Sequence, residues 1–315
     1  MLRRLLSTLF LLSTLLPAAS EWVRIRTTDG TVVEGSTAAK AIGKIPLPQV
    51  LAVYSGSPAT DSETAKITAG IATIQGTDRA ARDKAVEELT SLGIPVFTPL
   101  LKTYKDTDQH EPRPLYRLFE RIMPGYADSF DRSLSLVRLA NGTAQRLALP
   151  EGSLDIIDGS GHKTAIAWSK IRTLAVRQKT VKRTMQVHSL KHCTQIEFLD
   201  TGVVLTATSK ATLAAQGLVR MSWDTDSWAS DANGIKVPGA PAYKSNLFEG
   251  HPFGSLVGRI EPAGENFFVG TSANLTSKAG RLRLAVNDNP HWQNNLGTFH
   301  VTMTATDAYD MGDAQ

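Results

Sequence analysis

Apolar and polar residues alternate with a period of two along most of this chain, and with a helical period in one block near its front. The run Trp22-Val23-Arg24-Ile25-Arg26 alternates, turns at Asp29-Gly30 and resumes at Thr31-Val32-Val33-Glu34-Gly35. Asp-Gly between alternating runs signals a tight hairpin, because the turn needs residues that tolerate positive φ. The unit closes on a second apolar run, Ile45 to Val53. The same layout returns at 134–176, with alternation from Leu134 to Leu139, a turn at Asn141-Gly142 and a closing run from Ile166 to Leu174. Ile45, Leu47, Val50 and Val53 fall in register with Ile166, Trp168, Ile171 and Leu174. The second unit is longer between turn and closing strand, around Asp158-Gly159-Ser160-Gly161. Each unit predicts a small antiparallel β module, a half-barrel that must pack on something to be stable. Pairing of the two with each other is the expectation to test.

Helical spacing takes over between these units. Asp61 is placed to cap a helix running to about Gln75, with Ala65, Ile67, Ile71 and Ile74 at helical intervals. Asp78 opens a second, whose stripe of Ala81, Ala85, Val86 and Leu89 ends at Gly93 and Pro95. Further helical stretches are expected at 96–104 and 114–123. The segment from Ala81 to Leu101 resembles a HEAT-type helical pair. One or two such units are too few for an extended solenoid, so a spacer is the first reading and a partner-binding surface the second.

Beyond residue 184 the period-two pattern returns at 194–198, 203–208, 218–223, 255–260 and 267–270, punctuated by Gly and Pro. About eight short strands with no long helix signal predict a β-sandwich of jelly-roll type. The expected fold class is thus multidomain and mainly β with a helical block: two small repeated β modules, a short HEAT-like segment and a C-terminal jelly roll. The expected boundaries are a signal peptide at 1–20, a β module at 21–57, helices at 58–127, a second β module at 128–183, the sandwich at 184–306 and a disordered tail at 307–315.

Charge and composition narrow the function. Met1-Leu2-Arg3-Arg4, the apolar run Leu5–Leu16 and the small residues Pro17-Ala18-Ala19-Ser20 have the layout of a secretory signal peptide. The apolar run is too short to span a membrane, and no later stretch reaches the roughly 18–20 apolar residues a span requires. The protein is therefore expected to be exported, to the periplasm or beyond. Removing Arg3 and Arg4 lowers the formal charge from +4 to +2, which gives no basic face for nucleic acid. The basic stretch Arg177, Lys179, Lys182 and Arg183 lacks interleaved aromatics and reads as a solvated hinge. One cysteine, Cys193, excludes an intramolecular disulfide.

The densest chemistry lies near the end. Leu282, Leu284 and Val286 precede, and Phe299, Val301 and Met303 follow, a loop that holds Asp288, Asn289, Asn294 and Asn295. Calcium takes 6–8 oxygen ligands, and amide and carboxylate oxygens supply them. The alternative is a polar loop whose Asn and Asp side chains bond their own backbone.

A resemblance adds to this. Phe253-Gly254-Ser255-Leu256-Val257-Gly258-Arg259-Ile260, Phe267-Phe268-Val269-Gly270, Gly280-Arg281-Leu282, Val286-Asn287-Asp288 and Asn294-Asn295-Leu296-Gly297-Thr298-Phe299, as an ordered set over roughly 200–305, resemble the bacterial PA-IL-type lectin domain. That family is a calcium-dependent, galactose-binding jelly roll. The resemblance implies calcium as cofactor and Asp288, Asn294 and Asn295 as metal ligands. It further implies a carbonyl ligand near His291 or Trp292 and another from the 222–230 loop. His291 and Trp292 are the candidate carbohydrate contacts, Trp292 through its flat indole. The final loop here is one residue shorter than the family pattern, and the family's sugar-contacting His and Gln segment has no counterpart.

Other constellations yield bland readings. His188, His192 and Cys193 offer soft-metal ligands within six residues, but the neighbours read as a strand entry and the thiol as buried. Gly159-Ser160-Gly161-His162 lacks the strand–nucleophile–helix setting of a catalytic serine and reads as a hairpin turn. Asp224, Asp226 and Asp231 read as turn residues rather than a glycosidase pair. The resulting expectation is an exported, non-catalytic protein whose jelly roll binds calcium and, in second place, a galactose-like or other glycan. Its helical block is a candidate contact for another envelope protein. The alternatives are a carbohydrate-targeted envelope hydrolase or enzyme subunit, and a periplasmic scaffold with no ligand.

Overall fold

The computed structural model describes residues 20–106, 133–194, 198–221, 228–235, 248, 250–288 and 295–311. The signal-peptide segment and the helix expected at 114–123 lie outside these residues.

The two repeated units exchange strands to build one curled antiparallel sheet, an open barrel rather than a closed one. In the first, β1 (Glu21–Thr27) and β2 (Val32–Thr37) form a hairpin, β3 (Ala41–Ile42) and β4 (Ile45–Pro46) a small ladder, and β5 (Val50–Tyr54) the closing strand. Three helices follow: α1 (Asp61–Ile74), α2 (Arg79–Leu92) and α3 (Phe97–Asp106). The second unit supplies β6 (Ser135–Leu139), β7 (Ala144–Leu147), β8 (Ser153–Ile157), β9 (Lys163–Ala167) and the long β10 (Ile171–His188). Each closing strand pairs with the other unit's opening strand: β5 with β6, and β10 with β1. The two closing strands also pair with each other, and β2 meets β8. The expected pairing of the modules is therefore present, as an interlaced barrel rather than two bodies side by side.

The repeat holds in detail. A short 3-10 turn precedes each closing strand, at Leu47–Gln49 and at Trp168–Lys170. Ile45, Leu47, Val50 and Val53 share one core with Ile166, Trp168, Ile171 and Leu174. Gly30 and Gly142 take positive φ (91° and 84°) in the two opening turns. There Asp29 and Asn141 use Oδ1 to accept the Thr31 and Thr143 N–H at 2.9 and 3.0 Å. Asp158 plays the same part in the turn at 158–162, accepting from the backbone of Ser160 and His162.

The helices cover the β5–β6 face, where Leu136 and Tyr54 pack into their core. Thr60, not Asp61, caps α1: it accepts from Glu63 N, and Glu63 accepts from Thr60 N, a reciprocal capping box. Asp78 caps α2 and Gly93 ends it, as its sequence predicts. No helix among the described residues is long and apolar enough to cross a membrane.

Glu63 also anchors the block. It is 1% exposed and forms a two-pronged ion pair with the equally buried Arg172 of β10. Arg172 further donates to the Ser57 and Pro58 carbonyls at 2.7 and 2.6 Å. Burial pushes the Glu63 carboxyl up, but the Arg172 and Thr60 hydrogen bonds and the guanidinium charge outweigh it, so it titrates below its ordinary value.

The remaining strands form a sandwich that grows out of the barrel. They are β11 (Leu199–Arg220), β12 (Ala229–Ser230), β13 (Leu256–Glu261), β14 (Glu265–Phe268), β15 (Ser272–Thr276), β16 (Gly280–Val286) and β17 (Leu296–Asp310). One face runs β10-β17-β11-β15 and the other β14-β13-β16-β11. A single core lies between them, from Val181, Met185 and Val187 to Leu282, Leu284, Val286, Phe299 and Val301.

Three expectations are corrected here. The basic stretch at 177–184 is no hinge, because β10 runs through it without interruption and pairs with β17 there. Its two arginines are held: Arg177 lies 4.5 Å from the Trp22 ring and 3.2 Å from Asp307, and Arg183 pairs with Asp310. Residues 307–310 are no tail, because β17 continues to Asp310 and Tyr309 is fully buried. The short strands expected at 203–208 and 218–223 merge into the 22-residue β11. That strand survives an irregularity at 206–209 because Thr206 and Ser209 donate to the Asp307 carbonyl at 3.0 and 2.7 Å. Polar residues that look like a break in sequence are here the fastening of a bulge.

Candidate functional site

At one end of the sandwich, buried polar residues replace the apolar core. The strand β16 ends at Val286, and Asn287 and Asp288 follow, both fully buried. Asn295, just before β17, is 1% exposed. The structure brings Asp288 and Asn295 together: Asn295 Nδ2 donates to Asp288 Oδ2 at 2.7 Å. The other sequence-predicted positions, His291, Trp292 and Asn294, lie outside the described residues, as do 222–227 of the loop expected to lend a carbonyl.

The orientation of Asn295 is the informative detail. Its second N–H donates to the Ser189 carbonyl at 3.2 Å, so both donors are used on one side. Its Oδ1 is buried with no hydrogen-bond partner. Leaving such an oxygen unsatisfied costs about 1–3 kcal/mol. A hard cation satisfies a buried amide oxygen, and calcium accepts such oxygens with carboxylates in one shell. Asp288 and Asn295 therefore fit the metal that the Asp/Asn pattern implies.

Asn287 shows the same signature on a different task. Its Nδ2 lies 3.1 Å from the His251 carbonyl and 3.3 Å from that of Pro252, while its Oδ1 is buried without a partner. Its backbone joins the same turn, with Asn287 N donating to Ser255 O at 2.7 Å and Gly254 N to Asn287 O at 2.8 Å. Asn287 thus ties the 251–255 turn to the polar loop. His251 in that turn stacks on Phe268, ring centroids 5.5 Å apart.

A third segment, Ser189–Thr194, underlies both ends of the loop. It is not the strand entry that its sequence suggests but a tight turn, with His192 N donating to His188 O at 2.7 Å and His188 N to His192 Nδ1 at 3.1 Å. The His192 proton accordingly sits on Nε2. Cys193 is fully buried and forms an isolated bridge with Val286. Burial, then Lys191 and His300, lower the His188 pKa, so that ring stays neutral around pH 7. Among the described residues no three His, Cys, Asp or Glu side chains gather in a metal-holding group. Ser189 and Thr194 had no distinguishing mark in sequence, and Asn287 had one only as a neighbour of Asp288 in the Val286-Asn287-Asp288 motif. Each is a small polar residue whose role appears only when three distant segments meet.

No family model matches the chain, and no curated protein does. Among solved structures the chain is similar to one described as "EclA N-terminal domain; PllA-like lectin", with 24% identity over 40% of this chain and 96% of that one, at a TM-score of 0.30. At that score the likeness carries no structural argument.

Proposed function

We propose that this is an exported, non-catalytic protein whose sandwich binds calcium through Asp288, Asn294 and Asn295, and a carbohydrate at the bound metal. The observation that carries the metal is the buried, partnerless Oδ1 of Asn295 beside the Asp288 carboxylate. Asp288 brings the negative charge, and the asparagines bring neutral oxygens that leave room in a 6–8-coordinate shell. When bound, the ion supplies a Lewis-acidic centre that paired sugar hydroxyls can share. The protein's own part is to hold Asp288 and Asn295 together at the two ends of the loop, with Trp292 and His291 as candidate sugar contacts. Export is supported by the basic, apolar and small-residue succession of the first 20 residues. The interlaced barrel and its helices then serve as the base that presents the loop.

The test is a thermal melt of the full chain with calcium and with chelator. A site held at 100 times its Kd raises stability by about 2.7 kcal/mol. A melt indifferent to calcium removes the metal, and Asp288→Ala with unchanged calcium affinity removes this site. A glycan array in calcium and in chelator then reads the carbohydrate: calcium-dependent retention supports it, and no retention on any glycan overturns it.

A further inference from the structure

Both described residues of the proposed metal loop are oriented by one segment that supplies no ligand. Thr194 Oγ1 accepts the Asp288 N–H at 2.9 Å and donates to the Asp288 carbonyl at 3.0 Å. A single hydroxyl therefore engages both backbone groups of one residue and sets the direction in which its carboxylate points. Five residues earlier, the Ser189 carbonyl takes the Asn295 N–H that would otherwise be free to swing, leaving Oδ1 turned away from it. The segment is bound at each end to the strands that flank the loop. Ser189 N and Oγ donate to Gly297 O at 3.2 and 3.0 Å, Thr194 N to Val286 O at 2.9 Å, and Val286 N to His192 O at 2.8 Å. Thr194 and Ser189 are fully buried, so water does not compete for these bonds.

We infer that Thr194 is a positioning residue of the calcium site and that Ser189–Thr194 is a staple fixing the width of the metal loop. This rests on the calcium reading above. The physical reason is that an ion of fixed ligand distance binds tightly only where its oxygens are held before it arrives. Partners one step removed from the metal typically change affinity 10–100-fold when mutated. Thr194→Val keeps the shape and removes the hydroxyl; Thr194→Ser keeps the hydroxyl and removes only a methyl group.

The experiment is a calorimetric titration of calcium chloride into chelator-stripped full chain, with the metal-free melt recorded for each variant. Thr194→Val is expected to weaken calcium binding at least 10-fold, and Thr194→Ser to stay within about threefold of the parent. If the parent binds calcium and Thr194→Val binds it equally, with only the metal-free melt lowered, Thr194 is merely structural and the inference fails while the calcium reading stands. If the parent binds no calcium, the calcium reading fails and takes this inference with it. Should Thr194→Val not fold, hydrogen exchange on the parent decides. Calcium is expected to slow exchange at the Ser189 and Thr194 amides together with Asp288; protection confined to 286–297 overturns the staple.

Discussion

Glu63 in the barrel and Asp288 in the sandwich are both carboxylates withdrawn from water, yet their surroundings differ in kind. Glu63 meets a guanidinium through two contacts and a helix cap through two more, so its charge and hydrogen-bonding capacity are met from within the chain. Asp288 Oδ2 meets the neutral amide of Asn295, whose own oxygen is left partnerless. The first arrangement is a finished joint, and the second is a shell with an oxygen to spare. Burial of an acidic group thus says little by itself; the two settings differ in whether the polar atoms beside it all have partners.

The largest expected effect lies on the finished joint. Arg172→Met leaves Glu63 buried against no cation and is expected to cost about 3–5 kcal/mol in denaturant unfolding. The double change Glu63→Leu with Arg172→Met is expected to regain more than half of it, since apolar replacement of both partners removes the stranded charge. If the double variant is as unstable as the single one, the ion pair is not what joins helix to barrel.

Next comes the unfinished shell. Asp288→Asn is expected to leave the metal-free melt within about 1 kcal/mol of the parent and to abolish the calcium increment, about 2.7 kcal/mol at 100 times Kd. A large metal-free loss would instead place Asp288 in the same structural class as Glu63. A smaller effect belongs to the cap. Thr60→Ala is expected to cost about 1 kcal/mol, read by the same unfolding titration, because one helix-end donor and one Glu63 contact are lost together.

Acid sharpens the contrast in direction. The folded Glu63 titrates below its ordinary value of 4.5, so the folded state releases its proton more readily than the unfolded chain does. Its contribution is therefore complete above about pH 4.5 and is lost as pH falls through the lower, folded value. Glu63→Gln is expected to flatten that part of the pH–stability curve; a curve unchanged below pH 4.5 would show that the pair does not carry acid sensitivity.

Much of the barrel was legible because its signals are local. Asp29-Gly30 and Asn141-Gly142 specify turns within a few residues, and the two apolar quartets keep one spacing in both repeats. The exchange of closing strands was not legible, since β5 and β10 carry the same pattern whichever hairpin they join. At the site, Asp288 and Asn295 stood out by chemistry. Thr194 and Ser189 did not, because their partners lie 94 and 106 residues away along the chain. The basic run at 177–184 misled for a related reason. Charge patterning describes the exposed positions of a strand as well as it describes a linker, and only the alternating burial of Val181 and Met185 tells them apart.

That continuous β10 has a consequence for how the molecule can be made. Residues 171–176 lie between β1 and β5 in the first body and 177–188 pair with β17 in the sandwich, so one strand belongs to both. A chain emerging from its N-terminus holds β1 paired to β2 on one side only until β10 is synthesised, about 140 residues later, roughly 7–30 s at ordinary elongation rates. During that interval the first hairpin is an unclosed edge of the kind that invites wrong pairing. The sandwich cannot be lifted out as a self-sufficient cassette either, because any cut through β10 takes an inner strand from the first body or an outer strand from the second. The protein is synthesised in segments but can close only as a whole.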